Sequence, residues 1–248
     1  REQALALLRQ KQQALAPVGL TGMQHADGEI HAAKAAEKFG IPFTLSTMSI
    51  CSIEDIAQNT SAPFWFQLYM MRDREAMSRM IERCKAAKCS ALVLTLDLQV
   101  IGQRHKDLKN GLTAPPKPTI ANLINLAMKP RWCLGMLGTR RHSFGNLVGH
   151  VKEVSDMKSL AAWTNEQFDP RLSWADVDWV RERWGGKFIL KGIMEVEDAL
   201  LAARHGAASV TSIDSSASAH AAARHNAELN GVDIGELIEG DAFAELRR

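Results

Sequence analysis

The sequence predicts an α/β protein of the TIM (β/α)8-barrel type, incomplete at about six parallel strands and with a long insertion after strand 4. Two observations predict it. Short β-branched or apolar runs alternate with segments of helical spacing, which implies a parallel sheet. Several of the apolar runs also end in polar residues, as barrel strands do where their C-terminal ends converge on a site.

In chain order the strand runs are ALAPVG from Ala14, PFTLSTMS from Pro42, FWFQLY from Phe64, ALVLTLD from Ala91 and KFILKGI from Lys187. A sixth run, ASVTSID, lies near Ala208, and ELIEG is a candidate final strand. Between them GEIHAAKAAEKFG, SIEDIAQNT, DREAMSRMIERCKAAKC and VEDALLAARHG carry the 3.6-residue periodicity of helices. Asp27 and Ser52 stand where N-caps belong, and Gly40 stands where a helix should stop. The stretch from Thr113 to Asp178 is too long for a strand-to-helix loop and reads as an insertion or lid, opened by Pro115-Pro116-Lys117-Pro118.

The strand ends supply the candidate site. Ser46 and Thr47 close the second run, Gln67 and Tyr69 the third, Thr95 and Asp97 the fourth, and Lys191 the fifth. One polar strand end is a turn residue, whereas several on one face make a constellation.

Composition excludes several classes. The 30 Lys and Arg against 28 Asp and Glu leave a net charge of +2, which gives no case for an extended nucleic-acid or anionic-lipid footprint. Cys51, Cys84, Cys89 and Cys133 show no CxxC spacing, so they are expected to be reduced thiols in a cytoplasmic chain, with neither a disulfide framework nor a metal site. REQALALLRQKQQ lacks the apolar core of a signal peptide. Between Thr119 and Gly138, Asn122, Asn125, Lys129, Pro130 and Arg131 interrupt the apolar run, so it is not expected to span a bilayer. With Arg140 and Arg141 it reads either as a peripheral contact with the inner face of the cell membrane through 119–141, or as a lid packed on its own protein.

The runs LAPVGLTGM, GIPFTLSTMSICSIEDIA, PFWFQLYMMRDRE, ALVLTLDLQVIGQRHKDLKNG and FILKGIMEVEDALLAARHGA resemble the FMN-dependent α-hydroxy acid dehydrogenases and oxidases, particularly the bacterial L-lactate dehydrogenases. The resemblance covers about residues 14–206 and rests on several motifs in family order. It implies that Ala16, Pro17, Val18 and Ser46 flank the isoalloxazine, that Gln67 and Thr95 bond its polar edge, and that Lys191 lies near N1, where a cation stabilises reduced flavin. Tyr69 and Arg104 would hold the substrate, Arg104 through the planar fork that suits a carboxylate. Asp97 would orient a catalytic histidine in oxidising a small 2-hydroxy acid, L-lactate first, to the 2-oxo acid.

Past Gly206 the resemblance changes. Counting without gaps from Lys191 puts Ser215 where the family has its histidine and Ser218 where it has an arginine, and His220 and His225 do not restore the motif. The chain has one tyrosine, Tyr69, so the family's N-terminal flavin-contacting tyrosine has no counterpart. The residues that remain leave no room for the phosphate-binding seventh and eighth strands. ASVTSIDSSASAHAAARHNAELNGVDIGELIEGDAFAELRR instead resembles part of a class I S-adenosylmethionine-dependent rRNA cytosine methyltransferase, with Asp214 toward the ribose and Asp241 by the adenine. The expectation is a chimeric, truncated chain: a partial barrel over 1–206 and a methyltransferase-like β-α-β tail over 207–248 completing or capping the sheet. FMN is the expected cofactor and S-adenosylmethionine the alternative. Impaired turnover is expected, as is a homo-oligomer that covers the open sheet edge.

Overall fold

The computed structural model describes residues 14–97, 120–150, 172–206, 212–214, 221 and 237–239. The chain divides into two compact units, residues 1–191 and 192–248. Arg104, Ser215, Ser218, His220, His225 and Asp241 lie outside the described residues.

The first unit holds a parallel sheet of β1 (Thr44–Ser46), β2 (Trp65–Tyr69), β3 (Ala91–Thr95) and β4 (Phe188–Lys191), in that order. The run from Ala14, expected as a strand, forms only a one-residue parallel bridge from Leu15 to Phe43. Pro17 has no N–H to donate, and Leu20 turns left-handed at φ 60°, so the chain leaves the ladder at once. The insertion, predicted after the fourth run, therefore follows the third strand of the observed sheet.

Register fixes the two faces. Leu45 pairs with Phe66, Phe66 with Leu92, Leu68 with Leu94, and Leu92 and Leu94 with Phe188 and Leu190. Because side chains alternate along a strand, all of these point to one face. Leu45, Phe66, Leu68, Leu92 and Leu94 are fully buried there and form one core with Ile30, Ile56, Met77, Met80 and Ile81. Burying each large apolar side chain contributes about 1.5–3 kcal/mol. The partners come from α2 (Gly28–Phe39), α3 (Ile53–Asn59) and α4 (Arg74–Ala86), preceded by a single turn, α1 (Thr21–Gln24). A parallel sheet alternating with helices in this way is part of an α/β barrel.

Helix ends follow local chemistry. Ser52 accepts from Asp55 N–H at 3.1 Å while Asp55 accepts from Ser52 N–H at 2.9 Å, a full capping box. Gly40 ends α2 at φ 82°. Asp27 occupies the predicted N-cap position of α2 but is itself left-handed, and its carboxylate caps nothing. It is engaged elsewhere, as described below.

The insertion contributes α5 (Ile120–Ala127) and α6 (Pro130–Gly138), with Pro130 at the first helical turn, where a missing N–H costs nothing. It ends earlier than Asp178, because a capping box of Ser173 and Asp176 opens α7 (Trp174–Trp184). α7 joins α4 through an Arg74–Asp176 ion pair, and the Trp179 ring takes Arg74 and Arg183 at 5.2 and 4.7 Å. The second unit contains α8 (Val196–Arg204) and a parallel pair, β5 (Ser212–Asp214) with β6 (Leu237–Glu239).

Candidate functional site

The sheet face away from the helices carries the predicted polar residues. Ser46 pairs with Gln67, and Tyr69, Thr95 and Lys191 pair across β2, β3 and β4. Residues two apart on a strand share a face, so Ser46, Gln67, Tyr69, Thr95 and Lys191 all project to one side at the C-terminal strand ends. Ser46, Gln67 and Thr95 are buried, Tyr69 is half-buried and Lys191 is exposed, so the row grades from interior to opening.

Two of these residues are buried with unspent hydrogen-bonding capacity. Gln67 Nε2 and Thr95 Oγ1 have no hydrogen-bond partner among the described residues. Burying such groups unpaired costs about 1–3 kcal/mol each, which a polar ligand on this face could offset. Gln67 Oε1, by contrast, accepts from the Ser46 hydroxyl at 3.0 Å.

Two backbone straps border this face. The first runs from Leu15 to Gly22, and its Leu20 N–H donates to Met48 O at 2.9 Å. A Cβ added at Gly19 would stand 4.0 Å from Ser46 Oγ, which brings this strap alongside Ser46 at Gly19. Val18 is 56% exposed, an apolar side chain left open on this strap. The second strap, Ser46–Ser52, is held by Thr47, whose hydroxyl and amide both donate to Gln67 O, at 2.6 and 3.0 Å.

Lys191 Nζ lies 3.6 Å from Asp97 Oδ2, a pair that puts a cation and a carboxylate at the rim. Burial pushes the Tyr69 phenol above its ordinary range, and the Asp97 charge adds to that, so Tyr69 stays a neutral donor.

Four supporting residues, Glu29, Cys51, Asn146 and Arg141, carried no signal of these roles in the sequence. Buried Glu29 accepts from Gly22 N–H at 2.9 Å and Ile50 N–H at 3.1 Å, tying one strap to the other. Burial, then the nearby Glu29 carboxylate, pushes the Cys51 thiol far up, so it is an inert core group. Asn146 is fully buried and bonds Ile53, Ser46 and Ser49. Arg141 gives one nitrogen to Asp27 at 2.9 Å and another to Asp55 at 2.7 Å, and Thr139 adds a hydroxyl to Asp27. Asp27, Glu29 and Asp55 all lie at the starts of helices, the end of the unit where the strands deliver their polar residues.

The α5–α6 hairpin rests on α1, with Trp132 Nε1 donating to Met23 O at 3.0 Å. Several of its exposed side chains are apolar: Met128, Leu134 and Leu137 are 68%, 69% and 82% exposed. No helix among the described residues is long and apolar enough to cross a membrane.

Comparison with known proteins bears on this arrangement. The FMN-dependent dehydrogenase family matches residues 13–213, running on past position 206. L-lactate dehydrogenase of Acinetobacter baylyi is 44% identical over 196 residues, which is 78% of this chain and 50% of that protein. The Vibrio parahaemolyticus L-lactate dehydrogenase is likewise 44% identical, over 51% of its length. The chain thus spans about half the length of the curated relatives it matches. Among solved structures, the monotopic membrane protein (S)-mandelate dehydrogenase superposes with a TM-score of 0.73 at 33% identity, covering 80% of this chain and 52% of that one. A mandelate oxidase gives a TM-score of 0.57 at 30% identity, over 80% and 47%.

Proposed function

The chain belongs to the FMN-dependent dehydrogenase family, and from that premise we propose that its first unit binds FMN on the polar face of the sheet and serves the oxidation of a small 2-hydroxy acid, L-lactate first. The observation that carries the reading is the pair of buried orphans, Gln67 Nε2 and Thr95 Oγ1, set beside the only cationic strand end among the four strands of the sheet, Lys191. A flavin's polar edge offers hydrogen-bonding groups to satisfy the orphans, and an anionic reduced ring is what a nearby cation stabilises.

Each residue then has a task. Ser46, Gln67, Thr95 and Lys191 would hold the ring, with the Ala16-Pro17-Val18 backbone against it. When bound, FMN supplies the two-electron acceptor. Tyr69, neutral and at the opening, would donate to the substrate, and Arg104 would pair with its carboxylate. Asp97 would orient a base and balance its positive charge as the substrate proton is taken. In this chain Ser215 and Ser218 take the counted places of the histidine and its arginine, so binding should outlast turnover.

The 119–141 hairpin we assign to a membrane surface. Met128, Leu134 and Leu137 are exposed there, with Lys129, Arg131 and Arg140 also exposed for anionic headgroups. A cytoplasmic chain peripheral on the inner face of the membrane, and a homo-oligomer closing the sheet edge, belong to the same proposal. The S-adenosylmethionine alternative is not carried forward, since none of the comparisons supports a methyltransferase tail.

The test is reconstitution. The chain is mixed with FMN and desalted, its visible spectrum is recorded, and L-lactate is added without oxygen. Retained flavin absorbance supports the site, and bleaching slowed by about 10²- to 10⁴-fold relative to a full-length L-lactate dehydrogenase is the expected cost of a missing general base. A colourless protein after desalting refutes the reading.

A further inference from the structure

Asn146 reaches the candidate site from the segment after α6, and every polar atom of its side chain is used. Its Oδ1 accepts from Ile53 N–H at 2.9 Å, and its Nδ2 donates to Ser49 Oγ at 2.9 Å and to Ser46 O at 3.3 Å. Gly145 beside it donates its N–H to Ile50 O at 3.2 Å, so the two residues fill the inside of the loop that leads from β1 into α3. A fully buried amide whose oxygen and nitrogen are both bonded offsets its desolvation cost and fixes the groups it touches.

That loop decides how Gln67 faces the site. Met48 N–H donates to Ser46 Oγ at 3.2 Å, and the hydroxyl passes its single hydrogen to Gln67 Oε1 at 3.0 Å. The amide is thereby fixed with its oxygen on Ser46, which leaves Nε2, the buried orphan, with its hydrogens unspent. With the loop loosened, the Met48 amide leaves Ser46 Oγ. The hydroxyl can then accept from Nε2, and the Gln67 amide can flip its oxygen toward the ligand.

We propose that Asn146 is a positioning residue for flavin recognition: it holds the Ser46–Ile53 loop so that the chain Met48 N–H, Ser46 O–H and Gln67 ends in a donor aimed at the cofactor. The inference rests on the reading that this face holds FMN.

The test compares wild type, Asn146→Ala, Asn146→Asp, Gln67→Ala and the Asn146→Ala/Gln67→Ala double variant. FMN dissociation constants are read from flavin fluorescence, and midpoint potentials from spectroelectrochemical titration. Losing one well-aimed donor should weaken FMN binding about five- to tenfold in Asn146→Ala and lower the potential, because reduced flavin loses a stabilising hydrogen bond. Asn146→Asp should behave the same way, since it keeps the acceptor for Ile53 and loses the donor for Ser46. The double variant should be no worse than Gln67→Ala. Additive losses, or an unchanged potential in Asn146→Ala, overturn the proposal.

Amide hydrogen exchange on the cofactor-free chain gives a second arm. Asn146→Ala should speed exchange at Met48, Ser49 and Ile53 and leave Leu68 and Leu94 as they are, whereas unchanged exchange in the loop overturns the proposal. Wild type that binds no FMN overturns the flavin reading and the positioning role with it, and the exchange data then still decide whether Asn146 holds the loop.

Discussion

Replacing Arg141 by Met should destabilise the first unit by roughly 2–3 kcal/mol at neutral pH, and the structure sets that figure. The guanidinium makes charge-assisted bonds to Asp27 and Asp55, and the three side chains are only 29%, 31% and 22% exposed. Bonds to charged groups contribute about 1.5–3 kcal/mol when buried, whereas fully exposed pairs contribute at most about 1 kcal/mol. Partial exposure places these two between those limits, and Thr139 still serves Asp27 in the variant. For a unit of this size the loss corresponds to a fall in Tm of roughly 5–10 °C. Burial alone would raise both carboxyls, but hydrogen bonds from Thr139 and Arg141 to Asp27, and from Arg141 and Ser52 to Asp55, outweigh it and hold both below their ordinary 3.8. A depressed folded pKa gives stability that is present above the unfolded value and is lost as pH falls through the folded one. The gap between wild type and Arg141→Met in thermal unfolding should therefore be full near pH 7 and should close below about pH 3.8. No gap at pH 7, or a gap unchanged at about pH 3, refutes the reasoning.

Gly145→Ala should cost about 1–3 kcal/mol in chemical denaturation, since its Cβ would meet Ile50 O at 2.7 Å and Ser52 N at 2.8 Å, both backbone atoms that cannot yield. Glu54 is held down at about 2 by its hydrogen bonds from Arg83, so Glu54→Gln should lose a small stabilisation, below about 1 kcal/mol given its exposure. That difference should fade between pH 4.5 and about 2 in pH-dependent melts. The double substitution of Leu134 and Leu137 by Glu should abolish cosedimentation with anionic vesicles and leave Tm within about 2 °C, as both side chains are exposed. Vesicle binding equal to wild type would remove the membrane role of the hairpin.

The strands and helices of the first unit were legible because their signals are local. FWFQLY and ALVLTLD placed β2 and β3, and the Ser52–Asp55 box and Gly40 marked helix ends where the backbone needs them. ALAPVG misled because its apolar content reads as a strand while Pro17 and the left-handed Leu20 confine pairing to Leu15. Asp27 misled for another reason: its position is that of a cap, yet a cation 114 residues away takes its carboxylate. The row of Ser46, Gln67, Tyr69, Thr95 and Lys191 was legible as polar ends on apolar runs. Asn146 and Arg141 were not, because their partners lie 86 to 114 residues distant and no periodicity announces such contacts. Glu29 carried no signal in the sequence, and only the fold shows that two straps converge on it.

The central claim is that the face bearing Gln67, Thr95 and Lys191 holds FMN, and titration of the purified chain with FMN tests it most directly, followed by flavin fluorescence in wild type, Lys191→Met and His150→Ala. Lys191 stands at the end of β4 on the proposed face, while His150 lines a cleft of about 490 Å³ beside α4, whose lining includes Asn146 but none of Ser46, Gln67, Thr95 and Lys191. Saturable binding by wild type, about tenfold weaker in Lys191→Met and unchanged in His150→Ala, is the predicted result. Absence of saturable binding, or equal affinity in all three proteins, would contradict the account.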